Sequence, residues 1–277
     1  MSRTDDHDRG EDETILAVED LSKHFPVDSG FIASLRGTEY VRAVDDVDLD
    51  IKAGETLALV GESGCGKTTL ARAILQLERP TSGSVRFNGT DLTELSSRKI
   101  RPLRRDMQMI FQDPQSSLNP RMEVGKIIEE PMKAHGMYDK EGRRRRAQEL
   151  LDKVGLDAGH YYRYPHEFSG GQRQRVNLAR ALSTDPDLVM CDEPVSALDV
   201  TIQAQVLNTM MELQEEFDVT YVFISHDLSV VRYIADRVAV MYLGHLVELA
   251  EKEELFENPQ HPYTQALLDA IPVPDPK

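Results

Sequence analysis

The sequence predicts an α/β fold, a sheet core interrupted by an inserted block of helices, and three observations carry that prediction. Short apolar runs of strand length alternate with segments of helical spacing along most of the chain. One of them, residues 56–60, is the kind of run expected of a strand buried on both faces, and it leads straight into a glycine-rich turn. From residue 113 to 168 the strand signals vanish, so that stretch reads as a helical subdomain.

Taken in order, residues 14–20 and 41–51 read as early strands, separated by a polar, glycine-containing stretch at 28–39. After the strand at 56–60 and its turn, a helix is expected over 68–77. A strand follows over 83–88, closed by the turn pair Asn88-Gly89. Residues 107–111 form a further strand ending at Gln112. Within the insertion, 124–135 and 140–154 have helical spacing. The β/α alternation then resumes, with a helix over 172–182, a strand at 188–191, a helix over 202–216 and a strand at 220–224. Residues 237–249 read as two strands broken at Gly244. The proline-rich stretch after Asn258 is a separate small element, and no internal repeat is evident.

A chain of 277 residues is long enough to bury a substantial core without staples. Its two cysteines, Cys65 and Cys191, cannot make a disulfide framework and read as small space-filling side chains. The acidic stretch 1–13 has no apolar run, so it is expected to be a disordered tail rather than a secretory signal. No stretch approaches the roughly 20 apolar residues that span a bilayer, so a membrane role would come through partners. The net charge is −16, from 32 basic and 48 acidic residues. That field argues against nucleic acid and anionic lipid as direct partners. The run Arg143–Arg146 therefore reads as a solvated helix face. The even use of Asp and Glu, with Arg above Lys, is similar to proteins of salt-loving microbes.

The chemistry begins at Gly61-Glu62-Ser63-Gly64-Cys65-Gly66-Lys67-Thr68, a phosphate-loop pattern between a strand and a helix. Glycines let backbone N–H groups converge on phosphate oxygens, and the positive end of the following helix adds to the same anion. Lys67 is expected to reach the β- and γ-phosphates, and the Thr68 hydroxyl to ligate Mg²⁺, with Thr69 beside it in the site. Residues 188–193 form an apolar strand ending in two carboxylates. Asp192 is placed to hold Mg²⁺, and Glu193, pointing elsewhere, to act as general base on the attacking water. Such a pair is a weak signal alone and a strong one beside a phosphate loop.

Ser169-Gly170-Gly171-Gln172 opens a helix that Ser169 can cap, and it resembles the signature of the ABC transporter ATPases. In that family the signature closes over the γ-phosphate held by the opposite subunit. Phe168 stands where Leu is commonest. By the same resemblance Gln112 is the Q-loop glutamine, contacting Mg²⁺ and water. Ser196-Ala197-Leu198-Asp199 is similar to the D-loop at the dimer interface, and His226 matches the switch histidine that contacts the γ-phosphate. Phe25 matches the aromatic platform for adenine, with Tyr40 as its rival. The implied fold is a RecA-like phosphate-loop NTPase core with an N-terminal antiparallel β subdomain and the helical subdomain at about 113–168. The implied cofactors are ATP and Mg²⁺.

Residues 111–120, 164–168 and 258–264 sharpen the resemblance to the oligopeptide/dipeptide importers, and the phosphate loop with its flanks looks like their F-type ATPase subunit. The implied organisation is a nucleotide-binding domain over 14–257 and a C-terminal extension over 258–277. The implied partners are a second ATPase subunit of D type, two membrane permease subunits and, indirectly, an extracellular solute-binding protein. The implied place is the cytoplasmic side of the cell membrane. The four clustered cysteines that hold an iron–sulfur cluster in some members do not occur here, so no cluster is expected. Nickel or sugar import by the same machinery is the alternative. A soluble ABC ATPase of translation or repair is a further rival, opposed by the single ATPase unit and compact insert.

Overall fold

The structure, a computed structural model, describes residues 13–27, 39–112 and 117–270. The expected acidic tail up to residue 12, nearly all of the stretch at 28–39, residues 113–116 of the segment after Gln112, and the last seven residues lie outside the described residues. The elements run β1 Thr14–Pro26, β2 Tyr40–Lys52, β3 Thr56–Val60, α1 Lys67–Ile74, β4 Ser82–Phe87, β5 Thr90–Asp91, α2 Ser97–Leu103, β6 Met107–Ile110 and α3 Val124–Ala134. They continue with α4 Lys140–Lys153, α5 Gly170–Leu182, β7 Leu188–Asp192, α6 Val200–Phe217, β8 Thr220–Ser225, α7 Leu228–Ile234, β9 Arg237–Tyr242, β10 His245–Glu251, α8 Lys252–Glu257 and α9 Pro262–Asp269. Short 3₁₀ turns at Ala158–Tyr162 and Pro165–Glu167 precede α5.

The chain divides into two compact units. The first contains the described parts of Met1–Ala53, Leu57–Ile100 and Leu228–Lys277. Here β2, β1, β4 and β5 form an antiparallel sheet in that order. β1 runs six residues beyond the end expected at Asp20, because bulges let its ladder with β2 continue to the pair Pro26↔Tyr40. Asp20 and Asp46 supply the left-handed backbone at those irregularities. Their N–H groups are held by Asp48 Oδ1 at 2.8 Å and Ser22 Oγ at 3.0 Å. In the same unit β3 pairs in parallel with β9, and β9 turns back into β10 through Leu243 and Gly244. All five residues of β3 are buried, as a parallel central strand requires. Ala58 and Val60 pack with Val231, Val238, Val240 and Leu255, and this cluster carries α9 through Leu267 and Leu268.

The second unit contains Gly54–Thr56 and Arg101–Asp227. Its strands lie in the order β8, β7, β6, all parallel. Helices α3 and α4 and the turn at Ala158–Tyr162 pack around Tyr161, whose ring lies so close to Gly125 that a Cβ there would sit 2.0 Å from it. Lys126 donates to Tyr161 Oη at 2.6 Å and to Glu129 at 3.1 Å, and Tyr161 itself bonds Glu129. The arginine run is consumed largely within the unit. Arg143 donates to the Tyr138 carbonyl at 2.7 Å, Arg144 bonds Tyr162, and Arg146 pairs with Asp185 at 2.5 Å.

Among the described residues, α9 was read only as a small element of no stated type, and α2, α7 and α8 escaped the sequence reading altogether. Each of these last three is seven residues or fewer, too short to display a 3.6-residue period. Helix α1 also stops at Ile74, three residues before its expected end, and Gln76 adopts a left-handed backbone (φ 51°) with its amide bonded to the Ala73 carbonyl.

Candidate functional site

In the first unit the phosphate loop joins β3 to α1. Gly61 (φ 144°) and Gly66 (φ 116°) have conformations that L side chains rarely adopt. A Cβ at Gly61 would lie 2.1 Å from the Met241 carbonyl oxygen, and one at Gly66 would lie 2.1 Å from that of Ala43. Neighbouring backbone therefore fills the outer side of the loop, whereas a Cβ at Gly64 would meet nothing within 4 Å. Lys67 is buried, and its ammonium donates to the carbonyls of Gly61 at 2.7 Å and Glu62 at 2.8 Å. Cys65 packs beneath it, with Sγ 3.6 Å from Nζ, and its carbonyl accepts the Gly244 N–H at 2.9 Å. Ser63 and Gly64 are exposed, and Thr68 and Thr69, in the first turn of α1, are half-buried. A cation wrapped in a left-handed glycine loop at a helix N-terminus suits a phosphate chain. A hydroxyl at Thr68 is a hard oxygen donor of the kind Mg²⁺ takes. The donor chemistry thus fits ATP and Mg²⁺.

Phe25 is 37 % exposed with Lys23 Nζ 4.8 Å from its ring centre, and Tyr40 is 59 % exposed opposite Pro26. Both aromatics stand at one end of the β1–β2 ladder, so the structure leaves both able to offer a face.

In the second unit three residues from three strand ends meet. Ile110, Cys191 and Phe223 form one row across β6, β7 and β8. Gln112 and Glu193 each follow that row by two residues, and His226 by three. Glu193 has a left-handed backbone (φ 46°) that a non-glycine residue adopts at a cost, held by its N–H on the Ile224 carbonyl at 3.0 Å. This turn swings its side chain out of the strand, while Asp192, the last residue of β7, stays buried. The Glu193 carboxylate accepts Gln112 Nε2 at 2.8 Å and faces His226 Nδ1 at 3.0 Å. Its side chain is 14 % exposed. A carboxylate so oriented by two polar side chains can accept a proton from a water beside it.

The same unit holds the signature stretch. Ser169 caps α5 in a reciprocal box: its Oγ accepts the Gln172 N–H at 3.3 Å, and Gln172 Oε1 accepts the Ser169 N–H at 3.0 Å. α5 accordingly begins at Gly170, two residues earlier than expected. Gly171 is pressed against α6, since a Cβ there would lie 2.3 Å from Ile202 Cγ2, and a Cβ at Gly170 would lie 3.2 Å from Leu198. Asp199 caps α6, its carboxylate accepting the Ile202 N–H at 3.0 Å. Cys65 and Cys191 are free and buried. Burial, reinforced by the charge of Asp192, pushes the Cys191 thiol far above its usual range, so it has no thiolate chemistry.

Two contacts lay beyond sequence reasoning. The network of Gln112 and His226 on Glu193 joins positions 81 and 33 residues apart, and only the strand register brings them together. The other is a hydrogen bond from the phosphate loop to Tyr263, 201 residues away, which no local pattern announces.

Fold and motifs together define a phosphate-loop nucleotide-binding protein. The profile of the ABC transporter family matches residues 44–196, and that of the oligopeptide/dipeptide transporter C-terminal region matches residues 247–277. The chain is 56 % identical to the oligopeptide transport ATP-binding protein AppF of Bacillus subtilis (strain 168), over 94 % of this chain and 79 % of that one. It is 53 % identical to the dipeptide transport ATP-binding protein DppF of Escherichia coli (strain K12), over 93 % and 76 %. Among solved structures, a dimeric ATP-binding cassette in a post-hydrolysis state bound to ADP and Pi superposes with a TM-score of 0.75 at 29 % identity, covering 86 % of this chain and 98 % of that one. The chain belongs to the ABC transporter family and is an ATPase of that family, with the C-terminal region found in its oligopeptide/dipeptide transporters.

Proposed function

We propose that this chain hydrolyses ATP to power the import of di- or oligopeptides, as one of two ATPase subunits of an ABC importer. What carries the catalytic part of this reading is the Glu193 carboxylate, turned out of β7 and held between Gln112 and His226. The peptide part rests on the oligopeptide and dipeptide transport roles of relatives 52–56 % identical and on the match of the C-terminal region.

In this reading Lys67 and the loop amides around Gly64 bind the phosphates, and Phe25 or Tyr40 stacks on adenine. Thr68, Asp192 and Gln112 would hold Mg²⁺, whose charge would offset that of the phosphate oxygens. Glu193 takes the proton of the attacking water, with His226 and Gln112 fixing its direction. Ser169 and Gly170–Gln172 present the N-terminus of α5 to the nucleotide of a second subunit, and Asp199 stiffens the approach to the same interface. The second subunit is a related D-type ATPase. Two permease subunits carry the solute, and a solute-binding protein delivers it. No helix among the described residues is long and apolar enough to cross a membrane. By its likeness to transport ATP-binding subunits, the chain works at the inner face of the membrane, through its permeases. In domain terms, the ATPase spans 14–257, its helical subdomain about 113–168, and the extension 258–277.

The test is reconstitution in proteoliposomes with the permeases, the D-type subunit and the binding protein. ATP-dependent uptake of labelled peptide is expected, lost on Lys67→Ala. Uptake of nickel or sugar in place of peptide would refute the substrate assignment. Transport with this chain as the sole ATPase would refute the heteromer.

A further inference from the structure

The C-terminal extension reaches back to the nucleotide loop through one side chain. Helix α9 is anchored at its start by Glu248 of β10, whose carboxylate accepts the N–H of Gln260 at 2.7 Å and of His261 at 3.0 Å. His261 caps the helix, its Nδ1 accepting the Tyr263 N–H at 3.1 Å. Leu267 and Leu268 pack on the cluster that contains Val60, the last residue before the phosphate loop. Tyr263 therefore projects from a fixed base. Its ring lies against Tyr242 with centroids 4.2 Å apart, and its hydroxyl oxygen accepts the Glu62 N–H at 3.1 Å.

The Glu62 N–H belongs to the peptide unit whose carbonyl is that of Gly61. That carbonyl is also an acceptor for the Lys67 ammonium, at 2.7 Å. One rigid peptide plane is thus held on one edge by Tyr263 and on the other by Lys67. Rotating the plane would break both bonds. Because Gly61 is a glycine, its side chain offers no resistance to that rotation, and Tyr263 supplies the restraint.

We propose that Tyr263 is a positioning residue for nucleotide binding: it fixes the Gly61–Glu62 peptide, and through it Lys67, so that the extension sets the ATP affinity of the loop. The proposal rests on the loop being the ATP site. A tyrosine that only packed would need its ring and not its oxygen, and that difference makes the idea testable.

The experiment uses the full chain with its partner subunits and measures MgATP affinity, KM, kcat and melting temperature. Tyr263→Phe keeps the ring and removes the acceptor. A neutral hydrogen bond contributes modestly, so dissociation constant and KM for ATP are expected to rise roughly 2- to 10-fold. kcat and melting temperature stay at the parental values. Tyr242→Phe, which keeps the ring stack, should match the parent throughout. Parental affinity and KM in Tyr263→Phe overturn the proposal. A lowered melting temperature with loss of kcat at unchanged KM also overturns it, as the mark of a packing role. Lys67→Ala tests the underlying reading separately. If the parent binds MgATP and Lys67→Ala does not, the loop is the ATP site whatever Tyr263 does; equal binding by the two would fail that reading itself.

Discussion

Replacing Glu193 by Gln isolates the proton-accepting charge from everything else the side chain does. The substitution preserves length and branching. The amide oxygen can still accept Gln112 Nε2, now at 2.8 Å from Glu193 Oε2. The new NH₂ faces His226 Nδ1, at 3.0 Å from Oε1, and can donate to it once the ring proton sits on Nε2. The left-handed backbone at position 193 is no more costly for Gln than for Glu, so stability should change by about 1 kcal/mol or less. What disappears is the base. General-base catalysis contributes roughly 10²–10⁴ in rate, which corresponds to about 3–5 kcal/mol on the barrier. The assay pairs MgATP affinity with single-turnover hydrolysis for parent and variant, with the partner subunit present and melting temperature as control. Retained affinity, a near-parental melting temperature and the loss in hydrolysis are expected, with ATP-bound dimers accumulating. Hydrolysis at the parental rate at both sites would refute the assignment of Glu193.

Three further outcomes follow from the structure. Gly171→Ala places a methyl 2.3 Å from Ile202 Cγ2 and should destabilise by about 1–3 kcal/mol in denaturant melts. Adding Ile202→Ala should recover part of that loss, and strict additivity would refute the contact. Partial burial raises the Glu248 carboxyl, but the Thr264 hydroxyl and the N–H groups of Gln260 and His261 outweigh it and hold the group below its usual range. A depressed carboxylate stabilises above its unfolded value, near 4.3, and loses that contribution as pH falls through the folded value. The melting difference between parent and Glu248→Gln should therefore be constant from about pH 7 to 5 and shrink below about pH 4; a constant difference at all these values would contradict it. With a net charge of −16, the chain should melt higher in molar KCl, where the screening length falls to about 3 Å, and a flat salt profile would remove the self-repulsion argument.

How far the sequence could be read depends on how local each feature is. The phosphate loop was legible because its glycines and Lys67 answer to one another within eight consecutive positions. β3 was legible end to end because a strand buried on both faces is apolar throughout. The cap at Ser169 was legible because capping is settled within three residues. Asp199 was read through the dimer interface, and the structure adds a local duty, holding the Ile202 N–H at the start of α6. The extension of β1 past Asp20 was not legible, because bulges absorb the break in alternation and strand partners decide whether pairing resumes. Tyr263 was visible only as part of a subfamily-like stretch, since its partner is a backbone N–H, and backbone leaves no mark on composition.

The arrangement around Glu193 shows why motifs were found and their contacts were not. Glu193 was read from its place after an apolar strand in a chain with a phosphate loop, and Gln112 and His226 from their resemblance to ABC-family motifs, none of them from a contact. Their meeting depends on the registers Ile110↔Cys191 and Cys191↔Phe223, which no single strand encodes. Given those registers, the contacts follow almost arithmetically, because two or three residues past a shared row lands all three side chains at the carboxyl ends of parallel strands, where open α/β sheets place their ligands. A one-residue slip of β8 against β7 would turn its side chains to the opposite face and move His226 away from Glu193. The buried, wholly apolar middle of these strands therefore positions the catalytic candidates as surely as any residue near them. A substitution in that buried middle such as Val222→Phe, at a β8 residue that lies in none of the nucleotide motifs, is expected to lower hydrolysis by disturbing the packing that holds His226 against Glu193.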